Sequence, residues 1–176
     1  MKRLLCSLIV AVFFVVVGGA HVAQGAQGAA TLDDAKALVE KAVAYWKAHG
    51  RDKALAELNN PKGQFVKGEL YVVAQDFSGN VLANAVNPER VGLNFYELRD
   101  PNGKYFSKDL IEVAKTKGSG IVEFVFANPV TKKFQPKTNY VKKVEGEDVA
   151  IICGIFHWHF FFFAQAPLPP PGARPG

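Results

Sequence analysis

The chain has 176 residues, with 21 lysines and arginines against 16 aspartates and glutamates, for a net charge of +5. So small a surplus lacks the electrostatic footprint of a nucleic-acid binder, but it suits an anionic ligand. Two cysteines are too few for a disulfide-stapled scaffold.

Lys2 and Arg3 precede an uncharged apolar run from Leu4 to Val17, and small residues follow in GGAHVAQGAQGAA. This is the layout of a secretory signal peptide over residues 1–25, with Ala23 and Gly25 placed for cleavage. The run is shorter than the roughly 20 residues of a spanning helix, which argues against a membrane anchor. Cleavage leaves about 150 residues, enough for one domain with a real core. It lowers the charge to +3 by removing Lys2 and Arg3, and it leaves Cys153 without an internal disulfide partner. Its neighbours Ile151, Ile152, Gly154 and Ile155 predict a buried, inert thiol.

The first helix opens at Thr31, whose side chain can accept from a free backbone N–H. Asp33 and Asp34 sit at the positive end of the helix dipole. Ala35, Leu38, Val39, Ala42, Val43 and Trp46 recur at helical spacing. Gly50 interrupts, Asp52 is a candidate cap for a second run, KALAELNN, and Pro61 stops it. The stretch ELYVVAQDFSGNVLAN (69–84) predicts a hairpin that turns on Ser78, Gly79 and Asn80. Residues 85–109 carry Pro88, Gly92, Pro101 and Gly103 among isolated apolar residues, and an irregular stretch of that length is usually functional. SKDLIEVAKTK (107–117) predicts a helix with Ser107 as cap and Gly118 as stop.

Three strands follow, GIVEFVFANP, KTNYVKKV and DVAIICGIF. The last is apolar on both faces and therefore central. Tight turns between them imply antiparallel neighbours. The expectation is an α+β domain over residues 31–156, a five-stranded antiparallel sheet with the long helix on one face and the irregular region over the other. The segment 157–176, HWHFFFFAQAPLPPPGARPG, has no Lys, Asp or Glu and holds half of the chain's prolines. It reads as a disordered tail foreign to the domain.

Enzyme signatures are missing: no GxSxG, HExxH, CxxC or phosphate loop occurs. His157 and His159 alternate, but no acid or cysteine follows to complete a metal site. Asp100-Pro-Asn-Gly103 reads as a turn, since the other ligands of a calcium loop are absent. No catalytic residue, metal or cofactor is therefore expected.

The remaining candidates surround the hairpin FANPVTKKFQPKTNY (126–140). Phe124 and Phe126 share strand parity and read either as core or as a pocket wall. Lys137 and Tyr140 offer an ammonium and a hydroxyl that, with backbone N–H groups, would satisfy a small carboxylate. The plain alternatives are a solvated turn lysine and a half-buried sheet aromatic. The two lie three residues apart, so a regular strand sends them to opposite faces. They share a site only if pairing starts after Lys137 or a bulge intervenes, and Pro136 favours the late start.

Taken together, GRDKALAELNN, the stretch from GQFVKGELYVV to NPERVGLN, DPNGKYF, GSGIVEFVFANP, PKTNYVKKVEG and DVAIICGIF resemble the single Cache domain. This is a PAS-like extracytoplasmic sensor module of bacteria, here in its type 2 form. The resemblance covers about residues 32–156. It implies a non-catalytic, periplasmic or secreted domain of a sensory system that binds a small molecule, often a short organic acid, between sheet and irregular segment. Tyr71, Asn84, Phe124, Phe126, Lys137 and Tyr140 become the expected ligand-binding set. The family often has histidine at Asn84, tryptophan near Phe126 and tyrosine at Phe156, so the ligand does not carry over. The second reading is a domain that binds no ligand and docks on a membrane-bound sensor or envelope partner.

Overall fold

The computed structural model describes residues 29–157. The expected signal peptide at 1–25 and all of the expected tail except His157 lie outside the described residues.

Helix α1 spans Leu32–His49. Thr31 caps it as its sequence predicts: the Thr31 hydroxyl accepts from the Asp34 N–H at 3.2 Å, and the Asp34 carboxylate accepts from the Thr31 N–H at 3.0 Å. This reciprocal capping box satisfies donors that the first turn leaves free. The hydrogen bond from the Thr31 side chain is the main reason the Asp34 carboxyl is held below its usual range. Gly50 ends the helix at φ +80°, where a β-carbon would be strained, and α2 (Arg51–Leu58) starts immediately. The cap position of α2 is Gly50 rather than Asp52, which lies inside the first turn.

A short ribbon follows, β1 (Val66–Lys67) paired with β2 (Leu70–Tyr71). Next come β3 (Val73–Asp76) and β4 (Val81–Asn84), the predicted hairpin. Helix α3 (Phe106–Lys117) is preceded by Tyr105, which makes no capping hydrogen bond. Ser107 is not the cap: it is fully buried, and its hydroxyl accepts from Gln75 Nε2 at 2.6 Å. Three strands complete the domain: β5 (Ser119–Ala127), β6 (Phe134–Lys143) and β7 (Val149–Phe156).

The main sheet is antiparallel, with the order β4-β3-β7-β6-β5. The apolar β7 lies at its centre, as its sequence predicts, and every residue of that strand except Ile155 is buried. Alternation along the strands divides the interior in two. On one face Val72, Ala74, Val149, Ile151 and Cys153 pack against Leu38, Val39, Ala42 and Trp46 of α1. On the other, Val122, Val141, Ala150 and Ile152 meet Phe106, Leu110, Ile111 and Ala114 of α3. The α1 face is tied at its far end by the Trp46 indole N–H, which donates to Glu147 at 2.6 Å. Glu147 also pairs with Arg51 at 2.7 Å.

The irregular segment is a roof spanning the sheet from edge to edge. Its first part hydrogen-bonds along β4: the Val81 N–H donates to the Leu93 carbonyl, and the Gly92 N–H to the Val81 carbonyl. Its second part grips β5, the opposite edge. Asp100 accepts from the N–H groups of Asn102 and Lys104 within its own turn, and from the Val125 N–H at 3.0 Å. Burial works to raise the Asp100 pKa, but these N–H groups and the Lys104 charge outweigh it and hold the carboxyl below its usual range. The Asp-Pro-Asn-Gly turn is thus a structural clamp. Among the described residues no group of three His, Cys, Asp or Glu side chains could hold a metal ion.

Candidate functional site

Under this roof lies a cavity in which about 50 Å³ is open to the centre of a water molecule. One water needs about 10–15 Å³ by that measure, so the space suits one end of a small molecule. Strand parity explains its lining. Tyr71, Val73 and Gln75 alternate along β2 and β3, Lys137 and Asn139 along β6, and Phe124 and Phe126 along β5. The 3-10 turn Pro88–Arg90 contributes Arg90, and Phe95 and Phe106 close the roof side.

One irregularity shapes the lining. Val81 and Asn84 are three residues apart, yet both line the cavity. A bulge at the register shift between β3 and β4 makes this possible: Ala83 pairs with Ala74, but Val81 pairs with Gln75, which leaves Leu82 as the extra residue. The amide of Asn84 is then oriented by its neighbour, since Asn84 Oδ1 accepts from the Asn87 N–H at 2.9 Å. Its Nδ2 has no hydrogen-bond partner among the described residues and remains a donor.

Lys137 is the deepest charge, only 6% exposed. Its Nζ lies 3.3 Å from the Tyr71 hydroxyl and 4.6 Å from the centroids of both the Tyr71 and Phe156 rings. Those π faces offset part of its desolvation. No carboxylate approaches it within 4.0 Å among the described residues. Since Lys137 Nζ has only protons to offer, the Tyr71 oxygen accepts, and the Tyr71 O–H stays available to donate into the cavity. Asn139, 1% exposed, sits beside Lys137. It fits because position 154 across the ladder is glycine: a β-carbon there would lie 2.5 Å from Asn139 Oδ1 and 2.3 Å from the Thr138 carbonyl oxygen.

The aromatic wall is continuous. Phe106 stacks on Phe124 with centroids 4.5 Å apart and meets Phe126 edge-on at 5.3 Å. The Arg90 guanidinium carbon lies 4.7 Å from the Phe126 centroid. Cys153 borders the same space, but its burial pushes the thiol up to about 11, against a smaller opposing pull from Lys137. It is unreactive at neutral pH.

Five of the six residues read from sequence meet here: Tyr71, Asn84, Phe124, Phe126 and Lys137. Tyr140 does not. Strand β6 pairs regularly with β5 from Phe134 to Lys142 and with β7 from Lys137 to Lys143, with no bulge, and Pro136 lies within the β5 ladder opposite Val125. Tyr140 is therefore turned to the α1 face, where its hydroxyl donates to Glu40 at 3.0 Å. Arg90, Gln75 and Asn139 escaped the sequence reading. Arg90 is the only cation of the NPERVGLN stretch, a signal that was present, but its direction depends on the roof.

Comparison with known proteins agrees with this architecture. The model of the family described as single Cache domain 2 matches residues 16–158. The chain belongs to the single Cache domain 2 family. This is a family of sensor domains without catalytic chemistry. A methyl-accepting chemotaxis protein from Vibrio parahaemolyticus RIMD 2210633 superposes with a TM-score of 0.60 at 24% identity, over 70% of this chain and 86% of its own. The periplasmic sensor domain of a chemotaxis protein gives 0.57 at 22%, over 71% and 89%. A Cache chemosensory domain studied for its recognition of carboxylic acid gives 0.56 at 19%, over 71% and 87%. At these identities the likeness is one of fold.

Proposed function

We propose that this Cache domain is an exported sensor module that captures a small organic anion in the cavity under its roof. The observation that carries the reading is Lys137, a buried cation beside open space with no carboxylate within 4.0 Å among the described residues. A buried charge without a partner is costly, and an incoming carboxylate supplies the missing one. Lys137 Nζ, the Tyr71 hydroxyl and Asn84 Nδ2 would bind its oxygens, while Phe124, Phe126 and Phe106 would cover its carbon chain. That the Cache neighbour named above recognises carboxylic acid supports the same chemistry. Residues 1–25 would direct export and be cleaved, residues 31–156 would form the sensor, and the aromatic and proline-rich tail would lie outside it. Among the described residues no helix is long and apolar enough to cross a membrane.

A thermal-shift screen with acetate, propionate, butyrate and pyruvate tests the reading. A ligand at 100 times its Kd adds about 2.7 kcal/mol, a rise of about 5–10 °C for a domain of this size. We expect such a rise, and its loss in Lys137→Ala. The small open volume favours the second reading, a docking domain for a membrane sensor whose own aromatics fill the hollow. The absence of any shift, with unchanged melting of Lys137→Ala, would select that reading. Mass spectrometry of the exported protein tests the cleavage after Gly25.

A further inference from the structure

The binding reading uses Lys137, but the cavity holds a second cation. Arg90 ends the 3-10 turn and is held there by its backbone N–H, which donates to the Asn87 carbonyl at 3.0 Å. It is half-buried at the roof, whereas Lys137 lies deep. Like Lys137, it has no carboxylate within 4.0 Å among the described residues, and none of the residues lining the cavity is acidic. Both residues are related to neighbouring positions of β5. Lys137 pairs with Phe124, and Arg90 lies on Phe126, the next residue on the same face. Alternate residues of a strand are about 6.5–7 Å apart. The backbone of Lys137 and the ring under Arg90 are therefore one step apart along β5, with Arg90 at the mouth and Lys137 Nζ reaching inward to the Tyr71 and Phe156 rings.

A ligand with one carboxylate would answer only one of them. We infer that Arg90 is a specificity-determining residue and that the anion is a short dicarboxylate, with one end on Lys137 and the other on the Arg90 guanidinium. The planar fork of arginine matches a carboxylate bidentately. Its seat on the Phe126 ring holds it over the mouth without a protein counter-ion. The open volume at Lys137 needs to hold only the first carboxylate and its adjoining carbon. This inference rests on the binding reading above and refines it.

The test pairs acids of equal chain length, propionate with malonate and butyrate with succinate. Binding is measured by calorimetry on the wild type, Arg90→Met and Lys137→Met. Methionine at 90 keeps apolar contact with Phe126 and removes the charge. The expected result is that each dicarboxylate binds the wild type at least ten-fold more tightly than its matched monocarboxylate. Arg90→Met should lose that preference while changing monocarboxylate affinity by less than three-fold, and Lys137→Met should lose both classes. The preference should also shrink as salt is raised, because the mouth is partly exposed. Equal affinity for the matched acids would overturn the role of Arg90 and leave the anion site standing. So would an equal loss of both classes in Arg90→Met, which would reduce Arg90 to a packing residue. If no acid of either class binds the wild type, both readings fall.

Discussion

The two faces of the sheet are built from the same strands but solve different problems. Against α1, the contacts among Val39, Ala42, Trp46, Val72, Ala74 and Ile151 are apolar and closed to water. Beneath the roof, Gln75, Asn84, Lys137 and Asn139 are buried as well, among aromatics, around open space. One face therefore holds the domain together, and the other spends stability on a polar hollow. Buried polar groups and voids both cost free energy, and a functional site is where such costs are expected.

Substitutions can break or sharpen this contrast. The largest effect should come from Ile151→Ala, fully buried against α1. It should cost about 2–5 kcal/mol in urea unfolding, and a loss below 1 kcal/mol would mean that this face is not closely packed. Enlargement should separate the faces next. Val39→Ile on α1 should cost about 1–3 kcal/mol through overpacking. Val73→Ile, which points at the cavity, should cost less than about 0.5 kcal/mol, because the added methylene meets open space. Equal penalties would erase the distinction. Lys137→Met should raise the stability of the free protein by about 1 kcal/mol, since it removes a buried charge that has no carboxylate partner. A destabilised variant would show that the lysine belongs to the core.

Tyr140→Phe should lower stability by at most about 1 kcal/mol and leave ligand affinity unchanged, because its hydroxyl serves Glu40 on the α1 face. The same cluster predicts a pH dependence. The Glu40 carboxyl is held below its usual range, first by the hydrogen bond from Lys142 and also by Tyr140. A carboxyl with a lowered folded pKa stabilises the fold fully above its unfolded pKa, near 4.5. That contribution is lost as pH falls through the lower folded value. Glu40→Gln should flatten this acid limb, and an unchanged urea midpoint profile between pH 6 and pH 3 would count against the coupling. The smallest signal should come from Cys153. With its thiol pushed up to about 11 by burial, a disulfide-exchange reagent at pH 7.5 should label less than a tenth of the native protein in an hour and all of it in urea.

A single local rule shows how far the sequence could be read. Residues three apart on a strand share a face only across a bulge. The rule applies to Lys137 and Tyr140, but the bulge is elsewhere, at Leu82, where it brings Val81 and Asn84 into the cavity. Neither pair carries a mark that distinguishes it. Pro136 suggests an interrupted ladder, yet it stands inside β6 opposite Val125 and accepts from the His157 N–H at 3.0 Å. Ser107 shows the same limit: a serine before a helical run looks like a cap, whereas here it is the buried partner of Gln75, 32 positions earlier in the chain.

The sequence by itself determined what depends on near neighbours and on the strongest apolar patterns. These are the Thr31 cap, the stop at Gly50, the hairpin through Gly79, the parity of Phe124 with Phe126 and the central place of β7. Capping, turn chemistry and alternation act over a few residues and leave their signature there. Only the tertiary structure decided where the ladder slips, which of Lys137 and Tyr140 enters the hollow, and that Arg90 reaches it from the roof. Those outcomes depend on register and on contacts between residues tens of positions apart, and the energies that fix them belong to pairs of strands rather than to any one segment.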